Sequence, residues 1–348
     1  MTIVKKLKQV SIVGSIVVMP DFFVDRLVRL ESKDRFIQLL SEKAERGGGS
    51  VRGIPTVDVK GGNAVNVAYA LAKLGAKVTL FTVADEMGEA IIRKAFARFG
   101  ERVDLRISRG RHGLTTSFEF PRDSNDKTRV NVMVSDIQDN ADFGPIRISS
   151  EQDRQALQAA EGVIVVNWAS NMKGTELAEF AFKSSPSAFH MIDPADIESR
   201  KDEFRDSLTK LAGVTDCLSI NENECALLAQ SMGIRDLLGA NFGAQEVKDA
   251  AKRLAEKIGM SVDLHTGIGA AWSNGQEAAF SHSVRVDPKT ITGAGDVWDA
   301  ADMLGYLTGL EPMERLLFAN CCASLFVRDQ DGEPPEINRV FELVERVQ

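Results

Sequence analysis

The sequence predicts a doubly wound α/β fold, a mostly parallel sheet with helices on both faces, and a small β-sheet lid beside it. Three observations predict this. Short β-branched runs alternate with longer amphipathic segments, glycines stop several of those segments, and two stretches break the alternation with strand-like patterns. The alternation implies right-handed βαβ crossovers. In chain order, Val10 to Met19 reads as a buried first strand. Further strands are expected at 78–83, 162–166, 189–192, 217–220 and 262–266. Between Asn63 and Leu74, Val67, Leu71 and Leu74 fall at i, i+4 and i+7, and Gly75 is a natural stop. The helix pattern over 244–258 ends similarly at Gly259.

The two interruptions are residues 21–61 and 112–135. The first holds a helix pattern around Asp34 to Arg46, then Gly47-Gly48-Gly49, then an alternating run from Val51 to Val59. The second holds Thr116 to Phe120, a polar turn at 122–128, and Val130 to Val134. These hairpin-like strands do not belong in a parallel core, and together they form a flap over one edge, with glycines beside it to hinge. The core is then 1–20, 62–111 and 136–348.

Composition bounds the function. The 348 residues are 44% hydrophobic, 26% charged and 7% aromatic, with a formal charge of 42 − 50 = −8. Such a chain buries roughly three quarters of its unfolded surface and needs no disulfide or metal staple. Collagen-like, disordered and disulfide-rich classes are excluded, and an acidic chain lacks the basic field that nucleic acid requires. Cys217, Cys225, Cys321 and Cys322 make no C-x-x-C pair, and the four histidines show no zinc spacing. Reduced, cytoplasmic thiols are expected, with the adjacent Cys321 and Cys322 as core packing. Lys5, Lys6 and Lys8 before an apolar run imitate a leader peptide, but the run is short, β-branched and lacks an A-x-A-like site. No apolar run reaches membrane-spanning length, so neither a membrane nor nucleic acid is expected as a partner.

The strongest local signal is Thr292-Gly293-Ala294-Gly295-Asp296, followed by an apolar helix from Val297 to Leu307. A glycine-rich turn opening a helix aims unpaired N–H groups outward, where they suit an anion. Phosphoryl transfer needs that hole together with a base. The bland reading leaves Asp296 merely favouring its own helix N-terminus. Gly61-Gly62-Asn63-Ala64-Val65-Asn66 also opens a helix, with Asn63 as N-cap or with both amides facing hydroxyls of a polyol or ribose. In Asn221-Glu222-Asn223-Glu224, a capping box competes with a role in organising Mg²⁺-bound water.

In this order, the Gly-Gly-Asn-x-x-Asn helix start, Asp85-Glu86-Met87-Gly88, the Asn-x-x-Glu and the Thr-Gly-Ala-Gly-Asp resemble the PfkB family of carbohydrate kinases, with the ribokinase-like fold. The likeness runs from Gly14-Ser15 to about Val327. It implies a phosphotransferase that moves the terminal phosphate of a nucleotide, by default ATP with ADP as alternative, to a hydroxymethyl group of a sugar or nucleoside. Asp296 then resembles the catalytic base, and Gly293, Ala294 and Gly295 the anion hole. Asn221 and Glu224 resemble the Mg²⁺ and phosphate motif, with Glu224 acting through water. Gly62, Asn63 and Asn66 resemble the sugar-binding helix start, and Asp21 is the candidate for the sugar-binding Asp that the family places shortly after its first Gly-Ser. By the same resemblance Thr292 is expected at the nucleotide phosphates, as is Thr266 or Gly267 in His265-Thr266-Gly267. Thr290 stands where the family carries an Asp, which speaks against monovalent-cation activation.

Rival readings are a dinucleotide oxidoreductase, a sensor without turnover, and a phosphosugar kinase. The first lacks G-x-G-x-x-G after the first strand, and the second must explain why Asp296 and its glycines are present. The third would use Arg46, Arg52 and Arg129 beside the lid to meet a phosphate. Exposed lid edges suggest a homodimer through the lid. Trp168 is either a pocket wall or a buried core residue.

Overall fold

A computed structural model describes residues 3–8, 14–121, 129–235, 237–239 and 241–347. The strands are β1 (Ser15–Met19), β2 (Phe23–Arg29), β3 (Thr56–Gly61), β4 (Lys77–Ala84), β5 (Val103–Arg109), β6 (Gly113–Pro121), β7 (Arg129–Asp136), β8 (Gly162–Val166), β9 (Phe189–Asp193), β10 (Cys217–Asn221), β11 (Ser261–Thr266), β12 (Gly269–Ser273) and β13 (Ala278–His282). Nine of them form one sheet in the order β13-β12-β11-β10-β9-β8-β1-β4-β5. Pairing is parallel from β5 through β11, and only the β11–β12 and β12–β13 pairs at the edge are antiparallel.

The residues of β1 explain its central place. Ile16, Val17, Val18 and Met19 are all fully buried. Ile16 and Val18 enter the apolar layer on one face, with Leu71, Leu80 and Leu304, while Val17 and Met19 enter the other, with Phe81, Val163 and Leu177. A strand covered on both faces can be apolar throughout, which is why this run lacks alternation. The strand order departs from β1 in both directions, to β4 and to β8. This is a topological switch point, and crevices for ligands open at the carboxyl ends of strands beside it.

The second sheet has the order β3-β2-β6-β7, with β2 and β6 parallel and the other pairs antiparallel. A helix (Lys33–Glu45) joins β2 to β3. None of its residues is buried, and Phe36 touches the sheet through Phe118, ring centroids 5.6 Å apart. The expected strand over 51–59 is later and shorter, Thr56–Gly61, because Gly53 at φ 80° and then Pro55 interrupt the extended run. Val10 to Val13 of the expected first strand and the polar turn at 122–128 lie outside the described residues.

All four cysteines are free and buried, and burial pushes the Cys225 and Cys321 thiols up to about 12. Unreactive core thiols result. Among the described residues no helix is long and apolar enough to cross a membrane.

Candidate active site

The helix Ala294–Leu307 starts at Gly293, whose φ of 86° is open to glycine and strained for other residues. Gly293, Ala294 and Gly295 line an open cleft of about 1470 Å³ at the strand ends. Asp296 follows, only 5% exposed. Its Oδ1 accepts from Asn63 Nδ2 at 2.8 Å and its Oδ2 from Asn66 Nδ2 at 2.9 Å. Both partners stand on the helix Asn63–Lys73, so two helix starts meet at one carboxylate. Burial pushes this carboxyl up to about 8. The Asn66 bond opposes the rise, Asp193 and Asp21 add to it, and the Asn63 bond again opposes.

Asn63 does not cap its own helix, as the first of the two readings had it. The helix begins at Asn63, Gly62 is the cap position, and the capping oxygens come from Asp21. Asp21 Oδ2 accepts from the Asn63 backbone N–H at 2.9 Å and Oδ1 from that of Ala64 at 2.8 Å. Asn167, after β8, donates its amide to Asp21 Oδ2 at 2.8 Å. An acid just past β1 thereby does a local cap's work, and it frees the Asn63 side chain for Asp296. Gly62 is required on two counts. Its φ is 93°, and a Cβ there would stand 2.9 Å from Asp21 O and from Phe22 Cα.

Asn221 and Glu224 form a full capping box at the helix Glu222–Ser231. Asn221 Oδ1 accepts from the Glu224 N–H at 3.0 Å, and Glu224 Oε2 accepts from the Asn221 N–H at 2.9 Å. Both also line the cleft, with Asp193 and Asp196. Burial, followed by the charge of Asp193, holds the Glu224 carboxyl well above its usual range. A dication among these acids would relieve that repulsion. No three His, Cys, Asp or Glu side chains among the described residues converge tightly enough to hold a metal directly. The donor set therefore fits Mg²⁺ held through water, which is its habit beside phosphates.

Thr292, Thr266 and Gly267 line the same cleft. Thr292 Oγ1 accepts from Asn131 Nδ2 of the lid strand β7 at 2.9 Å. The Thr266 hydroxyl is engaged in its own turn, donating to Gly269 O at 2.7 Å. The structure thus brings Gly62, Asn63, Asn66, Asp21 and Asp296 into one cluster, and sets Asn221, Glu224, Thr266, Gly267 and Thr292 farther along the cleft. Trp168 is core: it is fully buried, its indole N–H donates to Thr175, and its ring packs on Phe204.

Four residues near the site escaped the sequence reading: Lys60, Asn140, Asn167 and Asp193. Lys60 Nζ stands 3.4 Å from Asn66 Oδ1 and 4.2 Å above the Tyr69 ring. Asn140 bonds both the N–H and the C=O of Phe22 where the chain enters the lid, at 3.3 and 2.9 Å. Position after a strand was the only available signal for Asn167 and Asp193.

The fold has counterparts among solved structures. The chain is similar over 96% of its length to an Arabidopsis thaliana ribokinase complexed with ribose and ATP, with TM-score 0.71, 19% identity and 99% of that chain covered. A Thermotoga maritima ribokinase matches with TM-score 0.70 and 20% identity, covering 96% of this chain and 99% of that one. A Sinorhizobium meliloti adenosine kinase matches with TM-score 0.70 and 16% identity, covering 97% and 99%. These likenesses define a ribokinase fold with the four-stranded sheet as its lid. No curated protein sequence matches. The model of the pfkB family of carbohydrate kinases matches residues 34–337, and the chain belongs to that family.

Proposed function

We propose that the protein transfers the terminal phosphate of a nucleotide, ATP in the first instance, to a hydroxymethyl group of a sugar or nucleoside. The observation that carries this reading is the buried Asp296 carboxylate. It is held by two neutral amides, beside a glycine turn that opens a helix into a nucleotide-sized cleft. A helix-favouring role alone would leave that carboxylate free to solvent, and would not need Asn63 and Asn66.

Asp296 accepts the proton of the acceptor hydroxyl as its oxygen attacks the terminal phosphorus. The bond from that phosphorus to the bridging oxygen breaks, and the nucleoside diphosphate leaves. The N–H groups of Gly293, Ala294 and Gly295 take up charge on the transferred group. Thr292, with Thr266 or Gly267, borders the donor phosphates. Asn221 and Glu224 would hold Mg²⁺ through water, where it neutralises phosphate charge. Gly62, Asn63 and Asn66 frame the acceptor, and Asp21 fixes the helix start that presents them. Residues 21–61 and 112–135 act as the lid over the core of 1–20, 62–111 and 136–348, and exclude water that would otherwise hydrolyse the donor. The same reading pairs two copies through the lid, where Leu114, Val132 and Val134 share one exposed face.

The test is a matrix assay with Mg²⁺, crossing ATP and ADP with pools of sugars, nucleosides, polyols and phosphosugars, the product identified by mass. Turnover with one pool, lost in Asp296→Asn, supports the reading and names the acceptor class. Silence across the matrix, with ligand binding still visible by thermal shift, overturns it in favour of a sensor.

A further inference from the structure

The segment His265-Thr266-Gly267 ends β11 inside the cleft. Thr266 is committed to its turn: besides donating to Gly269 O, its Oγ1 accepts from the Ile268 N–H at 3.3 Å. The residue before it has no such commitment. His265 is in register with Asn221 of β10. Neighbours in register project to the same side of a sheet, so the imidazole lies alongside the Asn221 amide. A Cβ placed on Gly295 would stand 3.4 Å from His265 Cε1 and 3.8 Å from Nε2. The ring therefore lies against the second glycine of the Gly293-Ala294-Gly295 turn, and a larger residue there would crowd it.

The next turn of the same helix buttresses the ring. Trp298 packs on it with centroids 5.1 Å apart, and the Trp298 indole N–H donates to Asn320 Oδ1 at 2.9 Å. The Asn320 amide in turn donates to the Ser281 and His282 carbonyls at 2.9 and 3.2 Å. The ring lines the cleft, and its Nε2, close to Gly295, is buried with no hydrogen-bond partner among the described residues. Leaving a buried polar group unpaired is costly, and one that persists calls for an explanation. Packing against Gly295 and Trp298 accounts for the ring but not for its unpaired nitrogen. An acceptor that arrives with a ligand accounts for both.

We propose that His265 is a donor-binding residue, whose ring N–H donates to a phosphate oxygen of the nucleotide seated on the Gly293–Gly295 turn. This rests on the kinase reading above. Burial holds the imidazole below its ordinary range, against the opposing charges of Asp193, Glu222 and Asp263. An imidazole N–H donates whether or not the ring is charged, a role that a glutamine amide can reproduce.

The experiment is a binding series by calorimetry. Adenosine, AMP, ADP, ATP and tripolyphosphate are titrated with Mg²⁺ into wild type, His265→Ala and His265→Gln. A hydrogen bond to a charged acceptor predicts that His265→Ala weakens ATP, ADP and tripolyphosphate by about ten- to a hundredfold and leaves adenosine unchanged. His265→Gln should recover most of the loss, and KM for the nucleotide should rise more than kcat falls. Unchanged adenosine binding also certifies that the variant is folded. An equal loss for adenosine and ATP would reduce His265 to packing, and no loss at all would remove it from the donor site. Either result overturns this inference while leaving the kinase reading intact. A wild type that binds none of the five ligands overturns both.

Discussion

The helix Ala294–Leu307 buries three carboxylates, Asp296, Asp299 and Asp302, and the protein treats the first and the last differently. Asp302, fully buried, meets a cation: Arg315 bonds it directly and reaches Asp263 with two further bonds of 3.0 Å. Tyr306 and Cys217 also donate to Asp263, at 3.0 and 2.9 Å. One guanidinium balances one carboxylate, and burial pushes the Asp302 carboxyl well above its usual range even though Arg315 pulls against it. Asp296 has two neutral amides and, among the described residues, no cation within hydrogen-bonding distance. The first centre answers its carboxylates with a cation. The second is left to titrate near neutrality, as a base must.

The largest effect that would break this contrast lies at Asp296. Asp296→Asn should lose about 10²–10⁴ in kcat while its thermal unfolding stays cooperative. The fold should tolerate the change, because the Asn63 amide can turn to present its oxygen to the new amide. Turnover near wild type would return Asp296 to helix stabilisation. At the other centre, Arg315→Met leaves two buried acids facing each other and should cost about 3–5 kcal/mol in denaturant unfolding. Turnover per folded molecule should not change. A cost under about 1 kcal/mol would mean that the two acids relax without their arginine, and the contrast would fail.

Protonation sharpens the same contrast. A base works deprotonated and the free Asp296 carboxyl titrates at about 8, so kcat/KM for the acceptor should rise about tenfold per pH unit up to that point and then level. Asn66→Ala removes the bond that most opposes the upward push. The acid limb should therefore move to higher pH, with a loss near tenfold at pH 7 for each unit moved. Arg315→Met should leave the limb in place. A limb that moves equally in both variants would make the two centres one coupled network.

What the sequence could disclose follows from how local each feature is. Period-two runs and glycine stops are local, and most of the parallel core was legible from them, but β2 and β5 were not, because charged residues interrupt Phe23–Arg29 and Val103–Arg109. The Gly293–Asp296 turn and the Asn221–Glu224 box were legible as well, because a helix start advertises itself within four residues. The capping of Asn63 was not. Its partner Asp21 lies 42 positions earlier, and nothing in Gly62-Asn63-Ala64 reports that the cap comes from the loop after β1. The Asn63–Asp296 contact spans 233 positions and is a product of packing alone. The β12–β13 hairpin was missed because Gly269 to Ser273 and Ala278 to His282 are short, small-residue runs with little β-branching. The Asp263–Arg315–Asp302 centre was invisible for a further reason: charged residues inside an apolar helix pattern read as surface until their partner is known.

The smallest effect tests whether the core centre holds redundant donors. Tyr306 gives Asp263 a single hydroxyl bond, while Arg315 already supplies two N–H groups to the same carboxylate. The Tyr306 ring has its own anchors: Phe189 stacks on it with centroids 4.0 Å apart, and the Arg315 guanidinium lies 3.7 Å from its centre. Tyr306→Phe keeps both contacts and deletes only the hydroxyl. It should cost about 1.5 kcal/mol, the low end for a hydrogen bond to a charged group, and leave kcat and its pH limb unchanged. A loss as large as that of Arg315→Met would mean that Asp263 depends on every donor around it, so that removing any one exposes a buried charge. A shift of the acid limb would be more consequential. It would carry a change in the core centre along the helix to Asp296, and the separation of a fixed acid from a titrating one would no longer hold.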